Sequence, residues 1–296
     1  MDNLRHKLRT VIFMRFRPGA NKHAAKGAGN QHELIYSYRS FYALLDVVRT
    51  FWEWIQLSAF RLSSPTELTV EIIICFLEYK ATSCVQTTVD WYRSMLASLG
   101  NYIRVYYKLR EFDLHVPRVK AYQKTSGLRG AAAMMPREEY DRIRVYCMAH
   151  PSGSAYAVLM ENYLGGRVTD VCERMCIVQT KIRMKCKGGK LLFRQITPEL
   201  EELLNNPLFA AWRTENGGFS LPKSKSVNQF LRNLERRLGL PHHSFHDIRR
   251  LLAQEYYDGL RKQGIEQKQA LSLTGLWLNH GPNRQKLVLK SYVKNP

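Results

Sequence analysis

The sequence predicts a mainly α-helical protein of two domains: an all-α amino-terminal domain, then a mixed α+β domain carrying a small β-hairpin. Three observations predict this. Between residues 32 and 114, apolar side chains recur three and four residues apart, the period of one helix face. Residues 115–135 are rich in basic residues and glycine and show no apolar period. Further on, Lys187-Gly188-Gly189-Lys190 places a Gly-Gly dipeptide between two short runs, which signals a hairpin. At 296 residues the chain is long enough for two separate cores.

Composition narrows the function. A hydrophobic content of 45% fits a folded protein, whereas the formal charge of +20 is far from ordinary. Such an excess attracts a polyanion. Nucleic acid fits better than an anionic membrane because the basic residues are spread along the whole chain. No run approaches the ~20 apolar residues needed to span a bilayer. The basic amino terminus, with its short apolar run at 11–14, does not read as a secretory signal. The six cysteines do not form a disulfide framework in a chain this size. Cys75 reads as a core position inside Ile72-Ile73-Ile74-Cys75-Phe76. Cys172, Cys176 and Cys186 read as buried thiols, since no Cys-x-x-Cys pair supports zinc. A cytoplasmic protein is expected, nucleoid-associated if bacterial, with no membrane partner.

Taken in order, residues 1–30 read as a basic leader. Arg5, Lys7, Arg9, Arg15, Arg17, Lys22 and Lys26 face the single acid Asp2. Val11–Met14 reads as a short strand, and Pro18-Gly19 through Asn30 as mobile. Residues 31–114 read as four helices. The first carries Tyr38, Tyr42, Leu45, Val48 and Trp52 on one face. Ser64-Pro65-Thr66-Glu67 starts a second that runs through Leu77. The third covers Thr87–Leu99. The fourth passes through Tyr102, Val105, Tyr106 and Leu109 and ends before Pro117. Trp52, Trp54 and Trp91 read as core at this spacing rather than as base-stacking groups. Residues 115–135 read as a linker in which Arg118, Lys120, Lys124 and Arg129 form a basic strap suited to a DNA backbone.

Residues 136–296 form the expected second domain. Pro136-Arg137-Glu138-Glu139 opens a helix, and Ala155–Leu164 is an apolar helix ended by Gly165-Gly166. A new helix follows from Arg167. Strands are expected at Lys181–Met184 and Lys190–Gln195. Thr197-Pro198-Glu199 caps another helix, and two more are expected at Ser226–Leu238 and His246–Leu260.

This domain carries a set of residues that can each touch a phosphate. His246 and Arg249 are three apart on a helix and share a face. Arginine offers a planar fork to two phosphate oxygens and stays charged. Arg167 follows a Gly-Gly turn, where backbone can approach a ligand closely. Two such arginines would stabilise the added charge of a pentacoordinate phosphorus. A tyrosine hydroxyl can attack if neighbouring groups activate it, and a hairpin lysine can protonate the leaving oxygen. Tyr292, near the carboxyl terminus, offers such a hydroxyl, and Tyr256 and Tyr257 offer rival ones. No carboxylate cluster suited to magnesium and no Gly-x-x-x-x-Gly-Lys loop is present, so the expected chemistry uses no metal, nucleotide or other cofactor.

Five motifs occur in order: Gly165-Gly166-Arg167-Val168-Thr169-Asp170, Lys187-Gly188-Gly189-Lys190, His246-Asp247-Ile248-Arg249, Leu278-Asn279-His280 and Ser291-Tyr292. With them, residues 32–296 resemble the tyrosine recombinase (lambda-type integrase) family. The resemblance implies a helical core-binding domain ahead of a catalytic domain. It implies that Arg167 and Arg249 clamp the scissile phosphate, and that His246 and His280 donate hydrogen bonds or shuttle protons. Tyr292 would form a 3′-phosphotyrosyl link. Asp170, where the family has Glu or Asp, would brace the site. The lysine is expected at Lys187, with Lys185 and Lys190 as alternatives. The implied activity is site-specific recombination of double-stranded DNA (integration, excision or resolution) serving a mobile element. The protein would be a monomer or dimer in isolation and a homotetramer in synapsis. A type IB topoisomerase-like relaxing enzyme and an inactive DNA-binding regulator are the alternatives. Two features depart from the pattern. His280 and Tyr292 are twelve positions apart, slightly more than usual, and the tail Val293-Lys294-Asn295-Pro296 is short.

Overall fold

Leu4, Leu8, Val11 and Ile12 fall three or four residues apart, and in the computed structural model they form the buried face of a helix, α1 (Asp2–Arg15). The structure describes residues 2–123 and 130–294, which divide between two units, Met1–Ser126 and Gly127–Pro296. In the first unit α1 packs against α3 (Tyr38–Leu57) and α5 (Gln86–Tyr106). The strand expected at residues 11–14 is therefore absent, because the helical period from Leu4 onward buries more apolar surface than an isolated strand could. The segment expected to be mobile contains α2 (Lys22–Gly27) and is tied back through Arg17 N–H to Ile35 O (2.9 Å) and Ile35 N–H to Arg15 O (2.9 Å).

Helix α3 is capped by Ser37, whose hydroxyl accepts from the Ser40 amide. Its buried face is Phe41, Leu44, Val47, Val48, Phe51, Trp52 and Ile55. Tyr38 and Tyr42, expected on that face, are 60% and 59% exposed. The larger aliphatic and phenyl set takes the core, leaving the tyrosines beside Phe16 and Phe41 at its rim. The segment Pro65–Glu67 is a single 3-10 turn. The next helix, α4 (Val70–Ser83), starts only after Thr69, which caps it. On α4, Ile72, Ile73, Phe76 and Leu77 are buried, and Cys75 lies on the opposite, exposed side, contrary to the core position expected for it.

The third and fourth helices expected in this unit are one helix, α5. Gly100 does not break it: a Cβ there would come within 3.0 Å of Leu114 Cβ, so the glycine admits a returning segment. That segment belongs to the core and does not hang free. Leu114 and Val116 are buried, and the Gln86 side chain donates to Val119 O and accepts from Ala121 N (2.9 Å each). Arg118 binds both carboxylate oxygens of Asp90, and Lys120 is exposed. Lys124 and Arg129 lie outside the described residues. Trp52 and Trp54 join the core, whereas Trp91 is 40% exposed.

In the second unit the core surrounds α7 (Gly153–Leu164), which packs on α6 (Arg137–Ala149), α10 (Ser224–Leu238) and α11 (Phe245–Lys262). A short helix, α8 (Val168–Glu173), leads into a three-stranded antiparallel sheet. Its strands are β1 (Met175–Val178), β2 (Lys181–Lys185) and β3 (Leu191–Gln195), with Ile182 opposite both Ile177 and Arg194. The first strand escapes sequence reading because four residues running straight out of a helix show no separable period. After α9 (Pro198–Asn205) and α10, helices α11, α12 (Gln267–Trp277) and α13 (Gln285–Ser291) enclose a smaller core that contains Tyr257, Leu271, Val288, Tyr292 and Val293. Among the described residues no helix is long and apolar enough to cross a membrane.

Candidate active site

Helix α7 ends at Gly165 in the left-handed conformation (φ 56°, ψ 33°). A Cβ at this position would lie 1.9 Å from Cη2 of Trp277, so glycine is required both by backbone and by space. At Gly166 a Cβ would lie 2.8 Å from Val171 Cγ2. This tight turn delivers Arg167 as the residue before α8. Asp170, only 1% exposed, holds it: Oδ2 accepts from the Arg167 amide and from Arg167 Nη1, both at 3.4 Å.

Helix α11 starts at a capping box. Asp247 Oδ2 accepts from the Ser244 amide at 2.6 Å and from its hydroxyl at 2.8 Å, while Arg250 pairs with the other carboxylate oxygen. The box orients the first turn, which carries His246. Arg249, one turn further, is 1% exposed and donates from Nη2 to Leu278 O at 2.6 Å. That bond ties α11 to the end of α12, where Asn279 takes a positive φ of 58° and the His280 amide returns to Gly275 O (2.8 Å). Tyr292 follows α13 directly, and its amide bonds Val288 O at 2.9 Å.

These elements converge on one phenol. The Tyr292 hydroxyl lies 3.0 Å from His280 Nε2 and 3.3 Å from His246 Nε2. The Arg249 guanidinium stands 5.9 Å from the centre of its ring. Burial, then the charges of Arg250 and Arg249, push the His246 pKa down to about 4. Burial, then Arg249, Arg167, Arg284 and Lys190, lower His280 to about 4 as well. Both imidazoles are therefore neutral near pH 7, and each has a ring nitrogen able to accept a proton. Arg167 acts on both histidines and on Arg249, so the two arginines, two histidines and tyrosine share one electrostatic site. Such an arrangement can receive an anion beside a phenol hydroxyl.

The hairpin lysines are placed less evenly. Lys187 sits exposed on a 3-10 turn, Lys187–Gly189, closed by the Cys186 amide donating to Lys190 O at 2.7 Å. Lys185 is exposed at the end of β2. Lys190 is exposed as well, and its charge is among those that lower His280. Of the rival hydroxyls, Tyr256 stacks on Trp277 at 5.1 Å and Tyr257 is buried in the small core.

Three contributors escaped sequence reading. Arg194 on β3 donates to Leu164 O (2.9 Å) and Trp277 O (2.5 Å) and lies 4.5 Å over the Trp277 ring. Burial, then Arg249, lowers its pKa to about 10. Trp277 in turn packs on Gly165. Glu161 is fully buried, and its Oε2 accepts from the Gly166 amide at 2.9 Å. One signal was available for Glu161: it is the acid inside an otherwise apolar helical run.

By sequence, the chain matches no protein-family model and no curated protein. By structure, it is similar to the tyrosine recombinase fold. A lambda integrase dimer bound to a COC′ core site superposes with a TM-score of 0.61 at 16% identity, covering 89% of this chain and 74% of that one. A shorter form of the same enzyme on that site gives 0.60 at 14% identity, covering 88% and 89%. XerH site-specific recombinase bound to its difH substrate, before cleavage, gives 0.59 at 13% identity, covering 96% and 90%. The chain has the tyrosine recombinase fold.

Proposed function

We propose that this protein is a DNA strand transferase that acts through Tyr292. The observation that carries the reading is the Tyr292 hydroxyl, held between two neutral imidazoles beside a buried arginine. Arg167 and Arg249 would bind the non-bridging oxygens of one phosphodiester. The Tyr292 oxygen attacks phosphorus, and its proton passes to His280 or His246. The bond from phosphorus to the 5′ oxygen of the next nucleotide breaks, and that oxygen takes a proton from a hairpin lysine. The product is a 3′-phosphotyrosyl link and a free 5′ hydroxyl. No water is consumed, so a 5′ hydroxyl from another strand can reverse the step and join the strands. An entering phosphate places negative charge beside the depressed imidazoles and so makes them better bases. Among the lysines, Lys190 is favoured over Lys187 and Lys185 because its charge already reaches His280.

Of the similar structures, lambda integrase dimers are bound to a COC′ core site, XerH is bound to its difH substrate, and a lambda integrase tetramer is bound to a Holliday junction. By analogy the substrate is double-stranded DNA bearing paired sites, joined in a homotetramer, and the outcome is site-specific recombination. The test is to trap the adduct on nicked duplex fragments and map it. Incubation should yield a denaturant-stable protein–DNA link on the peptide containing Tyr292, and Tyr292→Phe should yield none. An adduct that persists in Tyr292→Phe, or maps elsewhere, overturns the assignment.

A further inference from the structure

We infer that Arg194 is a positioning residue that fixes Arg167 and His280 relative to one another by bridging the two helix ends from which they project. The role rests on the strand-transfer reading. On β3, Leu192 and Arg194 are half-buried, whereas Leu191, Phe193 and Gln195 are exposed, so strand alternation turns the guanidinium inward. Its Nε donates to Leu164 O at 2.9 Å and its Nη2 to Trp277 O at 2.5 Å. Leu164 is the last residue of α7, and Trp277 is the last residue of α12. Arg167 lies three residues past the first carbonyl, and His280 lies three past the second.

The last carbonyls of a helix have no partner within it and carry the negative end of its dipole. Two such ends side by side repel each other, and a cation that donates to both holds them together. A planar fork does this at fixed geometry, which the single nitrogen of a lysine does not. Burial lowers the Arg194 pKa to about 10, which leaves the group charged at pH 7. The guanidinium also lies 4.5 Å from the centre of the Trp277 ring. That ring stacks on Tyr256 at 5.1 Å and fills the space a Cβ would take at Gly165. Arg194 therefore grips the end of α12 by main chain and by ring, and the same ring abuts the turn ahead of Arg167. The next carbonyl, Leu278 O, is held by Arg249 at 2.6 Å. Each link in this chain is a direct contact.

Two substitutions test the bridge. Arg194→Lys keeps the charge but offers one nitrogen where two carbonyls are spanned, whereas Arg194→Leu removes charge and donors together. Single-turnover cleavage at saturating DNA reads the effect as a rate constant, and the burst amplitude reads the folded fraction. The rate constant should fall about tenfold in Arg194→Lys, the scale of one lost hydrogen bond from a charged group. It should fall about 100-fold in Arg194→Leu, the scale of a misplaced catalytic group. DNA affinity, measured in the Tyr292→Phe background, should change little. An Arg194→Lys rate constant equal to that of the unsubstituted protein, or a loss confined to amplitude, overturns the proposal, and this variant decides alone if Arg194→Leu does not fold. A second measurement does not depend on cleavage. In histidine-labelled protein, the ring Cε1–H resonance of His280, assigned by its loss in His280→Gln, should shift in the Arg194 variants. That of His242, which pairs with Glu235, should stay in place. An unmoved His280 resonance, or equal movement of both, overturns the role of Arg194. Failure of the unsubstituted protein to form any adduct overturns the strand-transfer reading instead, and the resonances still decide Arg194.

Discussion

The hydroxyl of Tyr292 lies 3.0 Å from Nε2 of His280, twelve residues upstream, and this short link spans the whole of α13. It makes His280 the better-placed proton acceptor, since the His246 contact is longer at 3.3 Å. His280→Ala should therefore slow cleavage about 100-fold or more, within the range for general acid–base groups. His246→Ala should cost less. Single-turnover adduct formation at saturating DNA checks this, and equal losses would contradict the ranking.

The two histidines also set a response to acid. Their folded-state pKa values of about 4 lie below the ordinary 6.5, so between these values the unfolded chain binds more protons. Their contribution to stability is fully present above pH 6.5 and is lost as pH falls toward 4. The urea midpoint should drop between pH 7 and pH 4.5, and a His246→Gln/His280→Gln double variant should flatten that drop. A double variant with the same pH slope would show that other groups control it.

The turn ahead of Arg167 has little tolerance. Gly165→Ala meets both a left-handed backbone and the Trp277 ring 1.9 Å from its new Cβ, and should cost about 3 kcal/mol of stability. Adding Trp277→Ala relieves the clash but not the backbone strain. Chemical denaturation of the four-member cycle should show a positive coupling between the two sites, and simple additivity would contradict the contact.

The hairpin lysines can be ranked by the leaving group. Lys190→Ala should lower cleavage about 100-fold, in the range for a lost general acid. Lys187→Ala should do much less. A substrate with sulfur in place of the leaving 5′ oxygen needs no proton and should restore the Lys190→Ala rate. If Lys187→Ala is the variant that sulfur rescues, the acid is Lys187.

In the first unit, Arg118 is held by Asp90 whereas Lys120 is exposed without such a bond. If this segment follows a DNA backbone, Lys120→Ala should reduce the salt slope of binding by about 1. Arg118→Ala should reduce it less, because Asp90 already neutralises part of its charge. Filter binding across a salt series distinguishes the two.

Much of the site was legible in order before it was visible in space. Arg167 after Gly165-Gly166, His246 three before Arg249, then His280 and Tyr292, are all written plainly because the proposed chemistry calls for particular residue types. Less was legible where two patterns competed. Tyr38 and Tyr42 share a helix face with Val48, but the Phe41-Leu44-Val47 face won the core. Gly100 looks like a helix break until Leu114 is packed against it. The apolar period of α1 was hidden under a run of basic residues.

By itself, then, the sequence determined which groups the protein possesses, the mainly helical class with its hairpin, and the charge that favours a polyanion. Those depend on residue type, local period and composition. Only the tertiary structure decided which groups meet. It set Tyr292 between His246, forty-six residues away, and His280, and it put Glu161 and Arg194 within the field of Arg249. The reason is physical: periodicity shows that a helix has an apolar face, but the contacts that face makes are chosen by competition among all faces for one core. A buried carboxylate or guanidinium acquires its role from the neighbours that competition leaves beside it.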